Sequence, residues 1–144
     1  MYIYFGLTVA FLLATLATTF IDYDIKKDLI NQLTNEEIEL YKKIKKERLL
    51  IYYQGLIFGI VLSILYFIIN KDNNMFIGIT ITFVVNYFYY ILYPKSVYMI
   101  EVLNTKEENQ AWLKIYRYMQ YRYHLSFLLG LIFAYFLYKT LFLK

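Results

Sequence analysis

The sequence contains no cysteine, one proline and five glycines. Without Cys there is no disulfide, no thiolate nucleophile and no Cys-ligated zinc or iron–sulfur centre. With Pro94 as the only proline, long stretches contain nothing that breaks a helix. Histidine is almost missing as well. His124 stands alone, and a single imidazole with no Cys or acid cluster beside it makes no metal site. No Gly-rich phosphate loop and no nucleophile–base pair is present. These absences predict a protein that is not an enzyme, with no catalytic residues, no cofactor and no metal.

Charge is missing from four runs: Met1–Ile21, Leu49–Asn70, Asn73–Pro94 and Tyr123–Tyr138. A chain that is 60% hydrophobic and only 144 residues long has little material left for a soluble domain. The first three runs are long enough to cross a bilayer as helices. The fourth becomes long enough if Lys139 snorkels to the far interface. The first run lacks the basic leader of a signal peptide, so we read it as a retained span. The expected fold is therefore an all-α integral membrane protein, with four transmembrane helices in a tight bundle. It forms a single membrane domain over 1–144. The first span covers about 2–20, followed by a cytoplasmic segment, 21–48. Spans two and three cover about 49–69 and 75–93. A second cytoplasmic segment, 94–123, leads into span four, about 124–143.

The net charge of +4 follows from topology and implies no nucleic-acid partner. Seven basic residues fall in Asp22–Arg48 and five in Lys95–Tyr123, against Lys71, Lys139 and Lys144 on the other side. Basic residues near span ends mark the inner face. Both connectors are expected in the cytoplasm (or an organelle matrix), and both termini outside. Tyr52, Tyr53, Tyr89, Tyr90 and Tyr93 fall near the inner interface, where a ring with one wet end sits well.

Two helix-start signals stand out: Thr34-Asn35-Glu36-Glu37 and Thr105-Lys106-Glu107-Glu108. Each fits a capping box, in which the Thr hydroxyl and the third-position Glu satisfy free backbone donors. Nothing breaks the helix from either start through the following span. Each continuous helix is then nearly twice as long as a bilayer core of about 30 Å. Spans two and four thus extend on the cytoplasmic side. A shift of 71 residues superposes the two stretches, with seven identities in thirty positions from Thr34 to Ser63. Such a repeat makes two parallel units related by an axis along the membrane normal. Ile38, Tyr41 and Ile44 share a face of the first long helix, and Trp112, Ile115 and Met119 a face of the second. These faces can dock on each other, on the membrane surface or on a partner.

Each span carries a small or polar residue at every fourth position: Gly6, Ala10, Ala14; Gly55, Gly59, Ser63; Gly78, Thr82, Asn86; Ser126, Gly130, Ala134. Spacing of four puts these on one face, where helix backbones can approach closely. Asn86 is the most polar group deep in a span, read either as an interhelical hydrogen bond or as a pore or substrate contact. Thr8, Thr15, Thr19 and Asp22 form a second face on the first span, a possible pore lining with Asp22 at the inner mouth. Lys42, Lys43, Lys45, Lys46, Arg48, Trp112, Lys114, Arg117 and Arg122 are expected to meet anionic lipid headgroups or a partner.

These features predict a structural or interaction subunit of a larger membrane assembly, with the lipid bilayer and other membrane subunits, or further copies of itself, as partners. A homo-oligomeric ion channel lined by the Thr/Asp face is the alternative. A third reading comes from topology. The outward N-terminus, the basic helix after the first span and the short hairpin joining spans two and three resemble the Oxa1-like membrane insertases. That resemblance implies a polar groove open to cytoplasm and lipid.

Overall fold

The computed structural model describes residues 2–20, 24–71 and 74–142. Among them the chain is all-helical, without strands. α1 is Tyr2–Phe20, α2 is Asp24–Ile30, α3 is Asn35–Asn70, α4 is Met75–Leu92 and α5 is Lys106–Phe142, with one 3-10 turn at Met99–Glu101 before α5. α3, α4 and α5 are long and apolar enough to cross a membrane, whereas the apolar stretch of α1, Ile3–Thr18, is shorter.

Both capping boxes form. Glu37 N–H donates to Thr34 Oγ1 at 3.4 Å, and Thr34 N–H returns a bond to Glu37 Oε2 at 2.8 Å. Glu108 N–H donates to Thr105 Oγ1 at 3.2 Å, and the Thr105 and Asn104 N–H groups both donate to Glu108 Oε2 at 3.0 Å. From these starts α3 runs unbroken for 36 residues and α5 for 37, about 55 Å each. α3 stops at Lys71, which is left-handed with φ 51°. α4 starts on Asn74, whose side chain accepts Phe76 N–H at 3.1 Å. It ends at Leu92 with Tyr93 extended, as a residue before proline prefers.

The polar segment after α1 is more ordered than its charges imply. Its charged residues form α2, because Leu29 and Leu33 turn onto a buried cluster. That cluster joins Leu29, Leu33, Ile44, Met99, Leu103 and Ile115, with Ile38, Tyr41 and Trp112 packed against it. So the apolar faces of the two long helices dock on each other. Tyr41 and Trp112 meet edge-on with ring centroids 6.4 Å apart.

In the apolar half, α4 lies along α3 and α1 lies along α5, while α4 also touches α5. The α3–α4 seam is the meeting of two small-residue stripes. Gly55 faces Asn86, Gly59 faces Thr82, and Ser63 faces Gly78. Every pair sums to 141, the signature of one antiparallel register. Such contacts supply the van der Waals packing that must hold helices together where lipid offers no hydrophobic drive. α1 meets α5 differently. Thr8 Oγ1 lies 3.0 Å from Thr140 Oγ1, and Phe11 stacks on Phe136 at 5.4 Å.

The α1 stripe corrects the expectation that every span packs through its small residues. Gly6 has nothing within 4 Å of its Cβ direction, and Ala10 is exposed with Ala14 half-buried. The face carrying Thr8, Phe11 and Thr15 packs instead. A hydroxyl that bonds its own helix is easily buried, and a phenyl pair gains more contact than a row of methyls. In α5, Gly130 and Ala134 are buried as expected, with the Phe83 ring 3.4 Å from the Gly130 Cβ direction.

Candidate functional site

α1 and α3 make no extended packing with one another. Between them the bundle keeps a groove of about 400 Å³, floored by α4 and α5. Asn86 and Tyr87 of α4 and Tyr123 and Ser126 of α5 line the floor, with Phe83 and Phe127 beside them. Thr18 of α1 and Lys26 of α2 stand on one flank, and Tyr52 of α3 on the other. Arg122 and Met119 complete the basic end.

The floor is fixed by aromatic stacking. Tyr87 stacks on Phe127 at 4.1 Å and on Tyr123 at 5.4 Å, and its hydroxyl lies 2.7 Å from His124 Nδ1. Tyr123 O–H donates to the Tyr87 carbonyl at 3.4 Å. Arg122 sits over the Tyr118 ring at 5.1 Å and donates to the Thr18 and Ala17 carbonyls at the end of α1. A cation on the last carbonyls of a helix complements both its open acceptors and its dipole. Arg122 therefore ties the end of α1 to α5 while lining the groove.

Asn86 is the chemically distinctive group here. It is 5% exposed, and its Oδ1 has no hydrogen-bond partner among the described residues. Its Oδ1 lies against Gly55, 2.8 Å from where a Cβ there would be. A buried polar group left unpaired costs about 1–3 kcal/mol. The expected interhelical hydrogen bond is not made, and the amide is left at the wall of the groove.

The other expected contacts divide. Thr8 is buried against α5, and its hydroxyl donates to the Tyr4 carbonyl at 2.8 Å; Thr15 donates to Phe11 at 2.8 Å. That face is turned onto α5 and does not line an open lumen. The Thr19 side chain and Asp22 lie outside the described residues. Lys43, Lys45, Lys46, Lys114 and Arg117 are exposed. Lys42 is exposed too, paired with Glu39 at 2.7 Å, an exposed pair of little weight. Trp112 is half-buried on the cluster.

Arg48 has a role the sequence did not reveal. Its Nη2 donates to the Val97 carbonyl at 2.6 Å, and its guanidinium lies over the Tyr98 ring at 5.5 Å. Beside it, the Glu47 carboxylate accepts Ser96 N–H at 2.9 Å and Ser96 O–H at 2.8 Å. Lys95 donates to the Tyr90 and Ile91 carbonyls at the end of α4. This loop is thus clamped to α3. The Ser96 N–H bond, with the Ser96 hydroxyl and Arg48, holds Glu47 below the usual carboxylate range. The Thr34 backbone and hydroxyl bonds do the same for Glu37, which Asn104 Nδ2 also reaches at 3.4 Å. Burial and the nearby Arg48 push Lys95 down.

A second, polar cleft of about 390 Å³ lies between α2 and α5, with Asp28, Gln32, Glu107 and Lys114 on its walls. No group of three metal-ligating side chains occurs among the described residues. The groove offers an amide, two cations, hydroxyls and ring faces.

The architecture defines an all-α protein with three helices long and apolar enough to cross a membrane. Compared with known protein families, curated proteins and solved structures, the chain matches none.

Proposed function

We propose that the chain is an integral membrane protein with four spans, α1 and the apolar parts of α3, α4 and α5. In this reading it serves as a non-enzymatic interaction subunit of a larger membrane assembly. The observation that carries this is how little of its apolar surface the chain covers by itself. Only 22% of the apolar window of α3, and 11% of those of α4 and α5, is buried within the chain. Ile57, Ile68, Ile69 and Leu92 are each more than 60% exposed. Water does not tolerate contiguous apolar surface of this extent; lipid and partner helices do. The open Gly6/Ala10 face of α1 gives a partner helix a place to approach closely. The twelve-to-three distribution of basic residues supports an orientation with both termini outside. Crosslinking in membranes, followed by native mass spectrometry in mild detergent, tests the role. Discrete complexes with itself or other subunits are expected; a strictly monomeric species without partners removes it.

A second reading is favoured by the groove itself. A recess open between α1 and α3, lined by aromatic rings and a few polar groups and basic at one end, would suit an insertase that receives a segment entering the membrane. A photocrosslinker at Tyr52 should then capture nascent membrane-protein segments, and capture of none would exclude the reading. The channel reading has less support, since Thr8 and Thr15 are turned onto α5.

A further inference from the structure

We propose that the groove between α1 and α3 is a binding site for one acidic glycerophospholipid. Its phosphate lies at the Lys26 and Arg122 end, an ester carbonyl meets the Asn86 amide, and one acyl chain runs along Phe83 and Phe127. The inference rests on the membrane reading above and adds a ligand to it.

The groove is part of the bundle's construction. Under the 71-residue shift, α1 corresponds to α4 and α3 to α5. The α3–α4 seam then corresponds to the α1–α5 seam, and both are present. The α4–α5 contact has α1–α3 as its counterpart, and α1 and α3 do not pack along each other to a comparable extent. The groove occupies the place where this fourth seam would be.

Size and chemistry select the occupant. A single turn of α-helix, side chains included, fills roughly 400 Å³ as a cylinder about 10 Å across and 5.4 Å high. A groove of about 400 Å³ thus holds no more than about one turn of a helix, while a lipid head and the upper part of one chain fit it. The polar groups are spaced for an amphiphile. Because Tyr87 stacks on Tyr123, Asn86 and Arg122 stand within about one helical turn of the same height. Cations therefore lie beside one buried amide, with phenyl rings beyond. In a phospholipid a phosphodiester, an ester carbonyl and an acyl chain follow in that order. The Asn86 Nδ2–H group donates to an ester carbonyl, while its unpaired Oδ1 lies against Gly55 and takes no part.

The test uses the whole chain, reconstituted in vesicles of phosphatidylcholine with or without phosphatidylglycerol, floated, solubilised mildly and weighed by native mass spectrometry. One retained phosphatidylglycerol is expected, preferred over phosphatidylcholine by about thirtyfold if both basic residues contribute as they do at an anionic surface. Lys26→Gln should lower that preference about fivefold. Asn86→Ala should lower retention of lipid about fivefold through one lost hydrogen bond. It removes a buried oxygen that has no hydrogen-bond partner, so the variant should fold as well as the parent. Equal retention of the two lipids, or unchanged retention in both variants, overturns the proposal. So does displacement by inorganic phosphate alone, which would show an anion site without a chain site. A photocrosslinker at Ser126 should yield a lipid adduct; a polypeptide adduct without lipid overturns the proposal in favour of a peptide occupant. A chain that floats yet retains no lipid sinks this inference alone, whereas one that does not float removes the membrane reading beneath it.

Discussion

A methyl group on Gly59 would stand 2.7 Å from the carbonyl oxygen of Thr82 and 3.0 Å from its Cα. The obstacle is backbone, which cannot swing aside like the end of a side chain. The Thr82 hydroxyl in turn reaches the Gly59 carbonyl at 3.4 Å. Gly59→Ala should therefore push α3 and α4 apart and cost about 1–3 kcal/mol, the usual range for overpacking. Gly130→Ala meets only the Phe83 ring at 3.4 Å, and Gly6→Ala meets nothing. Both should be near neutral. Unfolding midpoints of the three variants in one detergent decide this; equal effects would show that the α3–α4 seam is misplaced.

This seam was legible in the sequence, because a residue repeated every fourth position marks one helix face whatever the fold. So were the two capping boxes, whose signals are local. The same rule failed on α1. A stripe at spacing four drifts around a helix with 3.6 residues per turn, so a span of 19 residues offers more than one candidate face. Which face is used depends on the Phe136 ring and Thr140 hydroxyl, 125 or more residues away. The groove was illegible for the same reason: it arises from two helices that do not pack along each other. The Glu47–Arg48 clamp was hidden because most of its partners are backbone groups of residues 49 positions along the chain.

Lowering the pH should loosen the polar half of the protein. Glu37 and Glu47 sit below the ordinary carboxylate value of 4.5. A carboxylate whose folded value is depressed adds stability that is complete above the unfolded value. That stability is lost as pH falls through the folded one. The midpoint of thermal unfolding should thus be flat above about 4.5 and drop below it. Glu37→Gln and Glu47→Gln should each be less stable at neutral pH and show a shallower drop. A parent protein whose stability rises on acidification would contradict the assigned bonds.

Lys71 is the only described non-glycine residue with positive φ, 51°. The left-handed region costs an ordinary L-residue roughly 1–2 kcal/mol, and glycine almost nothing. Lys71→Gly should therefore stabilise the end of α3, by up to about 1 kcal/mol once the extra freedom of glycine in the unfolded chain is offset. Lys71→Val should destabilise it, since a β-branched residue is poorly suited to that conformation. Hydrogen exchange at the last turn of α3 reads the local effect. Protection falling in the glycine variant would count against this cap.

The absence of native cysteine makes orientation directly measurable. Single Cys residues placed at Asn74 and Tyr2 should react with an impermeant maleimide added outside intact cells. Those at Glu36 and Glu107 should react only after permeabilisation. The two connectors expected inside hold most of the basic charge, and moving such segments across a membrane is unfavourable. Outside labelling at Glu107 would reverse the orientation and put the basic end of the groove on the other side.

The two repeats meet at their own equivalent residues. Ile44 and Ile115, 71 positions apart, are 6% and 1% exposed and lie in one buried cluster. Tyr41 and Trp112, related by the same shift, touch each other. Glu37 and Glu108 are both buried, 8% and 7% exposed, and each closes its own capping box. Like residues meeting like is what a two-fold arrangement of the repeats requires. Ile44→Ala and Ile115→Ala should then cost similar amounts, about 2–5 kcal/mol each for a truncated core side chain. Because the two share neighbours, the double variant should depart from the sum by about 0.5 kcal/mol or more, whereas residues more than about 10 Å apart add closely. The cycle is read from urea unfolding of the polar half, followed by the near-ultraviolet signal of Trp112. Strict additivity would mean that the two isoleucines belong to separate cores. The pairing of the repeats through α3 and α5 would then fall.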